Sequence, residues 1–241
     1  MKKKNVGVIG AGKWGKKIIK VLKQVANIKY ICNSKNNYQT IKEDISWIFI
    51  LAPNKYHFEM TRFFLKKKIS VFCEKPLTTN TNDAKKLIRL SKKLKTKLYI
   101  DDIDIYKKKK IRLNKNFNSI IRTKKDKGSA KSLLHRLAYH DFYLLSKFIN
   151  IKNIKEINIK IKTKILKFTI ILKNKLIFDF FYSVNSNFKK HLINKTDFNK
   201  FRNNPIKDML NSVLYKNISF KRNNEDALKC ILLIDMIMQK N

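Results

Sequence analysis

Residues 10–15 read Gly-Ala-Gly-Lys-Trp-Gly, directly after the apolar run Val6-Gly7-Val8-Ile9 and directly before the helical stretch Lys16 to Val25. A strand that passes through G-x-G-x-x-G into a helix has few uses for that turn. The first glycine permits a tight turn, the second lets the backbone approach a pyrophosphate, and the third lets the helix pack on the strand. The helix N-terminus then offers N–H groups and the positive end of its dipole to phosphate. Four of the five glycines in the chain, Gly7, Gly10, Gly12 and Gly15, lie in this segment. Gly10, Gly12, Lys13, Trp14 and Gly15 are therefore candidate cofactor-binding residues, the alternative being a structural turn that binds nothing.

The turn begins a longer alternation. Strands are expected at Ile28 to Cys32, Trp47 to Leu51, Ile69 to Cys73 and Leu98 to Ile100, with helices at Tyr56 to Lys67 and from Asn80 or Thr81 through Leu94. Strands alternating with helices imply βαβ units and a parallel sheet. After about Tyr106 the pattern changes. Ser119 to Thr123 reads as a strand and Leu133 to Phe148 as a helix with an apolar face of Leu133, Leu137, Leu144, Leu145 and Phe148. Ile157, Ile159 and Ile161 then alternate with Asn158, Lys160 and Lys162, the period of a half-buried strand. Phe168 to Leu172 and Leu176 to Tyr182 follow, joined by a turn at 173–175, with a further strand at His191 to Ile193. Helices at Ile206 to Leu214 and Glu225 to Met238 end the chain. The fold class expected is an α/β parallel-sheet domain over 1–105 and an α+β domain with a mainly antiparallel sheet over 106–241.

Charge invites a different reading. Lys and Arg total 56 against 17 Asp and Glu, a formal net charge of +39 over 241 residues. Only seven of the 56 are Arg, and the other 49 are Lys. A reader of phosphates and bases leans on the bidentate guanidinium, and these lysines spread along the whole chain. Lys, Asn and Ile are in excess together, as A/T-rich coding produces. A nucleic-acid partner is not expected. No apolar run approaches the ~18 residues of a membrane span. Met1-Lys2-Lys3-Lys4 is followed by the glycine turn in place of a signal-peptide h-region. Three unpatterned cysteines, Cys32, Cys73 and Cys230, point to a reducing, cytoplasmic compartment and to no metal site.

An acidic residue about 20 positions beyond the glycine turn takes the ribose hydroxyls in NAD proteins. That place falls on Asn33, followed by Ser34 and Lys35. Asn can bond a ribose without repelling a 2′-phosphate, and Ser34 and Lys35 can donate to one. The reading leans to NADP and leaves NAD open.

Ala52-Pro53-Asn54-Lys55-Tyr56-His57, then Val71-Phe72-Cys73-Glu74-Lys75-Pro76-Leu77, resemble in order and spacing the PNxxH and EKP stretches of the glucose–fructose oxidoreductase / inositol dehydrogenase / MocA (Gfo/Idh/MocA) family. Asp83-Ala84-Lys85-Lys86-Leu87 is similar to the helix that follows EKP, and Glu225-Asp226-Ala227-Leu228 to the closing "EDAL" helix. The N-terminal resemblance covers residues 5 to about 105, and the chain looks like a trimmed member.

The resemblance implies a Rossmann-type first domain and an NAD(P)-dependent oxidoreductase acting on a sugar, sugar nucleotide or polyol. Lys75 looks like the active-site lysine. An ammonium there can bond the alcohol oxygen and stabilise its partial charge as hydride leaves. Glu74, Pro76, Pro53, Asn54 and His57 look like cofactor-side residues, with a cap or packing role open for His57. His140 matches the family's acid/base histidine, and an imidazole suits that proton transfer. The family's Asp, four residues earlier, falls on Arg136, and a carboxylate beside the histidine is missing there. Asp102, Tyr106, Arg136 and Asp141 are further candidates for substrate contact. A catalytically silent, cofactor-binding relative is the competing expectation. The family also implies a homodimer through an open sheet face, the alternative being that the Leu133 to Phe148 helix covers the apolar Ile face.

Overall fold

The computed structural model describes residues 2–33, 36–41, 44–125 and 130–240, and divides into two compact units, 1–103 with 204–228 and 104–203 with 229–241.

The first unit is a parallel sheet of β1 (Asn5–Ile9), β2 (Asn27–Cys32), β3 (Trp47–Ile50), β4 (Ser70–Cys73) and β5 (Leu98–Ile100), in the order β2-β1-β3-β4-β5. β1 pairs in parallel with both β2 and β3, and β3, β4 and β5 follow in parallel register. Its central strands are buried on both faces, which is why β3 is apolar at every position. The helices are α1 (Lys13–Val25), α2 (His57–Lys66) and α3 (Thr81–Lys93). α1 turns Gly15, Ile18, Val21, Leu22 and Val25 inward, the spacing of one helical face. Asn80 caps α3, its side chain accepting from the amides of Asn82 and Asp83. Aromatic rings line one side of the sheet: Phe49 stacks on Phe72 at 4.9 Å and Phe72 on Tyr99 at 5.6 Å.

The segment 204–228 belongs to this unit. Phe220, opening the helix Phe220–Gln239, packs 5.9 Å from Trp47 and 6.3 Å from Tyr99. Tyr215, closing the helix Pro205–Tyr215, donates its hydroxyl to the Val25 carbonyl at 2.6 Å. Asn223 binds both the N–H and the C=O of Ile100, at 2.8 and 2.9 Å. Its amide thus satisfies backbone groups of β5, the edge strand of the sheet.

The second unit is a six-stranded mixed sheet of β6 (Phe117–Lys125), β7 (Ile154–Lys162), β8 (Ile165–Leu172), β9 (Ile177–Ser183), β10 (Asn185–Ile193) and β11 (Thr196–Asp197). The order is β11-β10-β6-β9-β8-β7, antiparallel except for β6 with β9. One face is covered by α4 (Ala130–Leu133), a π-turn (Leu134–Ala138) and α5 (Tyr139–Leu145). Phe142 meets Phe168 at 5.8 Å and Phe180 at 5.5 Å.

The expected single helix over Leu133 to Phe148 is corrected here. The π-turn re-phases everything after Ala138, so Phe142 and Leu145 face inward while Phe148 is exposed and Leu144 only half-buried. The face bearing Ile157, Ile159 and Ile161 is the covered one: Ile157 pairs with Ile170 and Ile159 with Phe168, on the helix side of the sheet. The opposite face carries half-buried Ile121, Ile171, Phe181 and Leu192. Among the described residues no helix is long and apolar enough to cross a membrane.

Candidate functional site

In the first unit, β2 lies on one side of β1 and β3 on the other. In such sheets ligands bind beyond the carboxyl ends of the strands at this switch point. The ladder continues there: Gly10 donates its amide to Cys32, Leu51 to Ile9, Glu74 to Ile50 and Asp101 to Cys73, all within 2.7–2.9 Å. The glycine turn, the Ala52-Pro53 loop, Glu74-Lys75-Pro76 and Asp101 therefore emerge at one end of one sheet.

Gly10 has φ +97, and a Cβ there would lie 2.6 Å from the Leu51 backbone. A Cβ on Gly15 would lie 2.3 Å from the Gly10 carbonyl oxygen. Gly12 differs: it is exposed, extended, and a Cβ would meet nothing within 4 Å. It is the N-cap of α1, without a side-chain cap and with no acidic residue in the first turn. An open, uncapped helix N-terminus fits a phosphate group. Lys13 is exposed beside it.

Lys75 follows β4, is half-buried, and is joined to Pro76 by a cis peptide bond. Glu74 and Asp101 flank it electrostatically. Burial pushes the Glu74 carboxyl up to about 7, with the Lys75 ammonium pulling the other way. Burial likewise raises Asp101 to about 7, against the amide of Ile103, the Lys75 charge and the indole of Trp14. Native Asp101 and Glu74 thus hold protons that the unfolded chain has released, so stability falls as pH rises from about 4 to about 7. Asp101→Asn is expected to flatten that fall, read as urea midpoints at both ends of the window. A wild-type midpoint independent of pH there would contradict a protonated Asp101.

Several expected site residues have other partners. The Trp14 indole N–H donates to Asp101 Oδ2 at 3.2 Å. His57 is fully buried, its Nδ1 2.8 Å from the Pro76 carbonyl oxygen and its Nε2 2.8 Å from that of Ala52. It ties the two loops together, the packing role left open above. Asp102 is also buried and accepts from Tyr99 and, at 3.3 Å, from Asn223. Pro53 and Asn54 are exposed at the start of a 3-10 turn, and Asn33 is exposed just past β2. Ser34 and Lys35 lie outside the described residues.

The second unit holds a cluster that sequence reading did not anticipate. Register pairs Arg122 with Tyr182 on one side and with His191 on the other, so the three stand in a row across β9, β6 and β10. Two carboxylates meet that row. Asp141, buried on α5, accepts from the Tyr182 hydroxyl at 3.0 Å and lies 2.5 Å from His191 Nε2 and 3.6 Å from Arg122. Asp104 lies 2.7 Å from Lys107, 3.3 Å from Arg122, 3.8 Å from His191 Nδ1 and 4.0 Å from His140 Nδ1. Burial alone would raise Asp104, but Arg122, His140, Lys107 and His191 outweigh it and hold the carboxyl well below the usual range. Burial opposes the Arg122 charge, and Asp104 and Asp141 more than restore it. The Tyr182 phenol is raised by burial and by Asp141.

Asp141 is thus internal to this network, with both carboxylate oxygens engaged. Arg136 is half-buried in the π-turn and Tyr106 half-buried in the 3-10 turn Ile103–Lys107. The one sequence signal for the cluster was weak: Asn118, Ile120 and Arg122 alternate onto a face where only the apolar member looks internal.

A family profile described as "Oxidoreductase family, NAD-binding Rossmann fold" matches residues 4–101. An uncharacterized oxidoreductase, YgjR of Escherichia coli K12, is 50% identical over 36 residues, 15% of this chain and 11% of that protein's length. The fold is similar to UDP-N-acetylglucosamine 3-dehydrogenase GnnA from Acidithiobacillus ferrooxidans, with TM-score 0.77, 14% identity and 98% of each chain covered. It is similar to an NAD-binding protein from Listeria innocua, with TM-score 0.77, 12% identity, and 99% of this chain and 97% of that one covered. The dehydrogenase WlbA from Thermus thermophilus, solved with NAD and UDP-GlcNAcA, gives TM-score 0.70 and 12% identity, covering 96% and 94%.

Proposed function

We propose that the chain, whose residues 4–101 match the profile of an NAD-binding Rossmann-fold oxidoreductase family, is an NAD(P)-dependent dehydrogenase or reductase of a secondary alcohol or ketone on a sugar, sugar nucleotide or polyol. The observation that carries this reading is the carboxyl end of the first sheet. There Lys75 stands in the field of two buried carboxyl groups, and one of them, Asp101, is bonded to Trp14 in the first turn of the uncapped α1.

Gly10, Gly12 and Gly15 shape the turn, and the amides opening α1 receive the pyrophosphate, with Lys13 beside them. Asn33 receives the adenosine ribose. When bound, the nicotinamide supplies a hydride acceptor or donor. Lys75 hydrogen-bonds the substrate oxygen and steadies the charge it develops. His140 takes the hydroxyl proton in oxidation and returns it in reduction. Glu74 orients Lys75. The sugar class rests on the solved relatives named above, which include a UDP-N-acetylglucosamine dehydrogenase. The first unit serves as the cofactor domain and the second as the substrate and dimerisation domain, pairing through the face of Ile121, Ile171, Phe181 and Leu192. Three buried free cysteines suit a reducing cytoplasm.

Calorimetric titration of the purified chain with NADH and NADPH, followed by a panel of UDP-sugars and polyols, tests the reading; sedimentation of the same sample reads the dimer. Cofactor binding with turnover is expected. Binding without any turnover would favour a silent relative, and no binding of either nucleotide would overturn the proposal.

A further inference from the structure

The carboxylate that the sequence lacks at position 136 has a counterpart elsewhere in the chain. Asp104 is 5% exposed, and its Oδ2 is 4.0 Å from His140 Nδ1. The second unit contains another buried carboxylate, but that one is committed. Asp141 takes the Tyr182 hydroxyl on Oδ2 and His191 Nε2 on Oδ1. Being adjacent to His140 on the same helix, it also points in a different direction.

We propose that Asp104 is a positioning residue for His140: its carboxylate, 4.0 Å from Nδ1, favours the imidazolium that forms when this ring takes a proton. The inference rests on the reading of His140 as the proton-transferring group. In oxidation the substrate O–H bond would break and its proton would join the His140 imidazole, while a bound oxidised nicotinamide would supply the acceptor for the hydride that leaves the same carbon. The imidazolium so created faces a carboxylate that is already ionised, so no second proton has to move.

The groups around Asp104 keep it in that state. Lys107, on its own 3-10 turn, and Arg122, on β6, both contact it. His191, on β10, turns Nδ1 toward it at 3.8 Å without forming a hydrogen bond. Because the Asp141 carboxylate only accepts, His191 Nε2 carries the proton, and Nδ1 is its unprotonated nitrogen when the ring is neutral. Arg122 in turn bridges Asp104 to Asp141. Asp104 thus meets His140 from the 3-10 turn, with Lys107 and Arg122 on its other side. On its own helical segment the charged neighbours in sequence are Arg136 and Asp141.

Removing the Asp104 charge withdraws an anion from His140, takes the carboxylate from Lys107 and leaves Arg122 with Asp141, and these changes disfavour the imidazolium. NMR titration of His140 in the full chain, assigned with His140→Gln, should show the midpoint falling by about one pH unit in Asp104→Asn. Asp104→Glu should recover most of it. The acidic limb of the kcat/KM profile should move by the same amount. A folded Asp104→Asn whose His140 titrates as in the wild type overturns the inference. Should Asp104→Asn fail to fold, Lys107→Met removes one competing cation, and the His140 midpoint should then rise; an unchanged midpoint overturns the inference equally. The NMR shift without turnover on any substrate would retain the Asp104–His140 pair and sink only the proposed activity.

Discussion

A Lys75→Met chain is expected to bind nicotinamide nucleotide much as the wild type does and to turn over the proposed substrate about 10³-fold more slowly. The magnitude is that of removing one preorganised donor from an oxygen that gains charge in the transition state. Lys75 is half-buried at the carboxyl end of β4, and its ammonium is the group that lowers both Glu74 and Asp101 against their burial. Without it both carboxyls rise further, so the variant should hold those two protons to still higher pH. Steady-state kcat measured beside cofactor affinity separates the outcomes. A kcat close to wild type would remove Lys75 from the chemistry, whereas lost nucleotide binding would make it a cofactor residue only.

The second large effect concerns the glycine turn, where three glycines predict different losses. Gly15→Ala places a Cβ 2.3 Å from the Gly10 carbonyl oxygen, a contact that only movement of backbone can relieve. Overpacking against a rigid neighbour costs about 1–3 kcal/mol, and the expected loss lies at the upper end of that range. Gly10→Ala meets the Leu51 backbone at 2.6 Å and adds left-handed strain at φ +97, so its loss is comparable. Gly12→Ala meets open space in an extended conformation and should leave stability within about 0.5 kcal/mol. Its expected effect is on the ligand: the new methyl group would stand where the proposed pyrophosphate site lies, and nucleotide affinity should fall while the urea midpoint holds. Denaturation curves of the three variants with and without NADH test this. A Gly12→Ala chain that binds NADH normally would show that the phosphates pass elsewhere.

The first unit was largely legible in the sequence because its signals are local. A strand buried on both faces must be apolar throughout, as Trp47 to Ile50 are. The glycines declare contacts too close for a Cβ, and the Asn80 cap declares the start of α3. The motif order after β1, β3 and β4 therefore predicted which loops share one end of the sheet. Less was legible in the second unit. The period of Ile157, Ile159 and Ile161 correctly marked a one-sided strand, but period alone cannot say which face the helix covers. The π-turn between Leu134 and Ala138 has no sequence signature, and it re-phased the residues that a straight helix would bury.

By itself, then, the sequence determined the alternation of elements, the glycine turn between β1 and α1 and the placement of Lys75 at a strand's end. Only the tertiary structure decided who meets whom. It turned His57 into a clamp between the Ala52 and Pro76 carbonyls and brought 204–228 back to the first sheet. It also gathered Asp104, Arg122, Asp141, Tyr182 and His191 from five separate segments into one buried network. Polar residues carry no periodic signal of burial, because what makes their burial tolerable is a partner distant in the chain, and partnership is a property of register and packing.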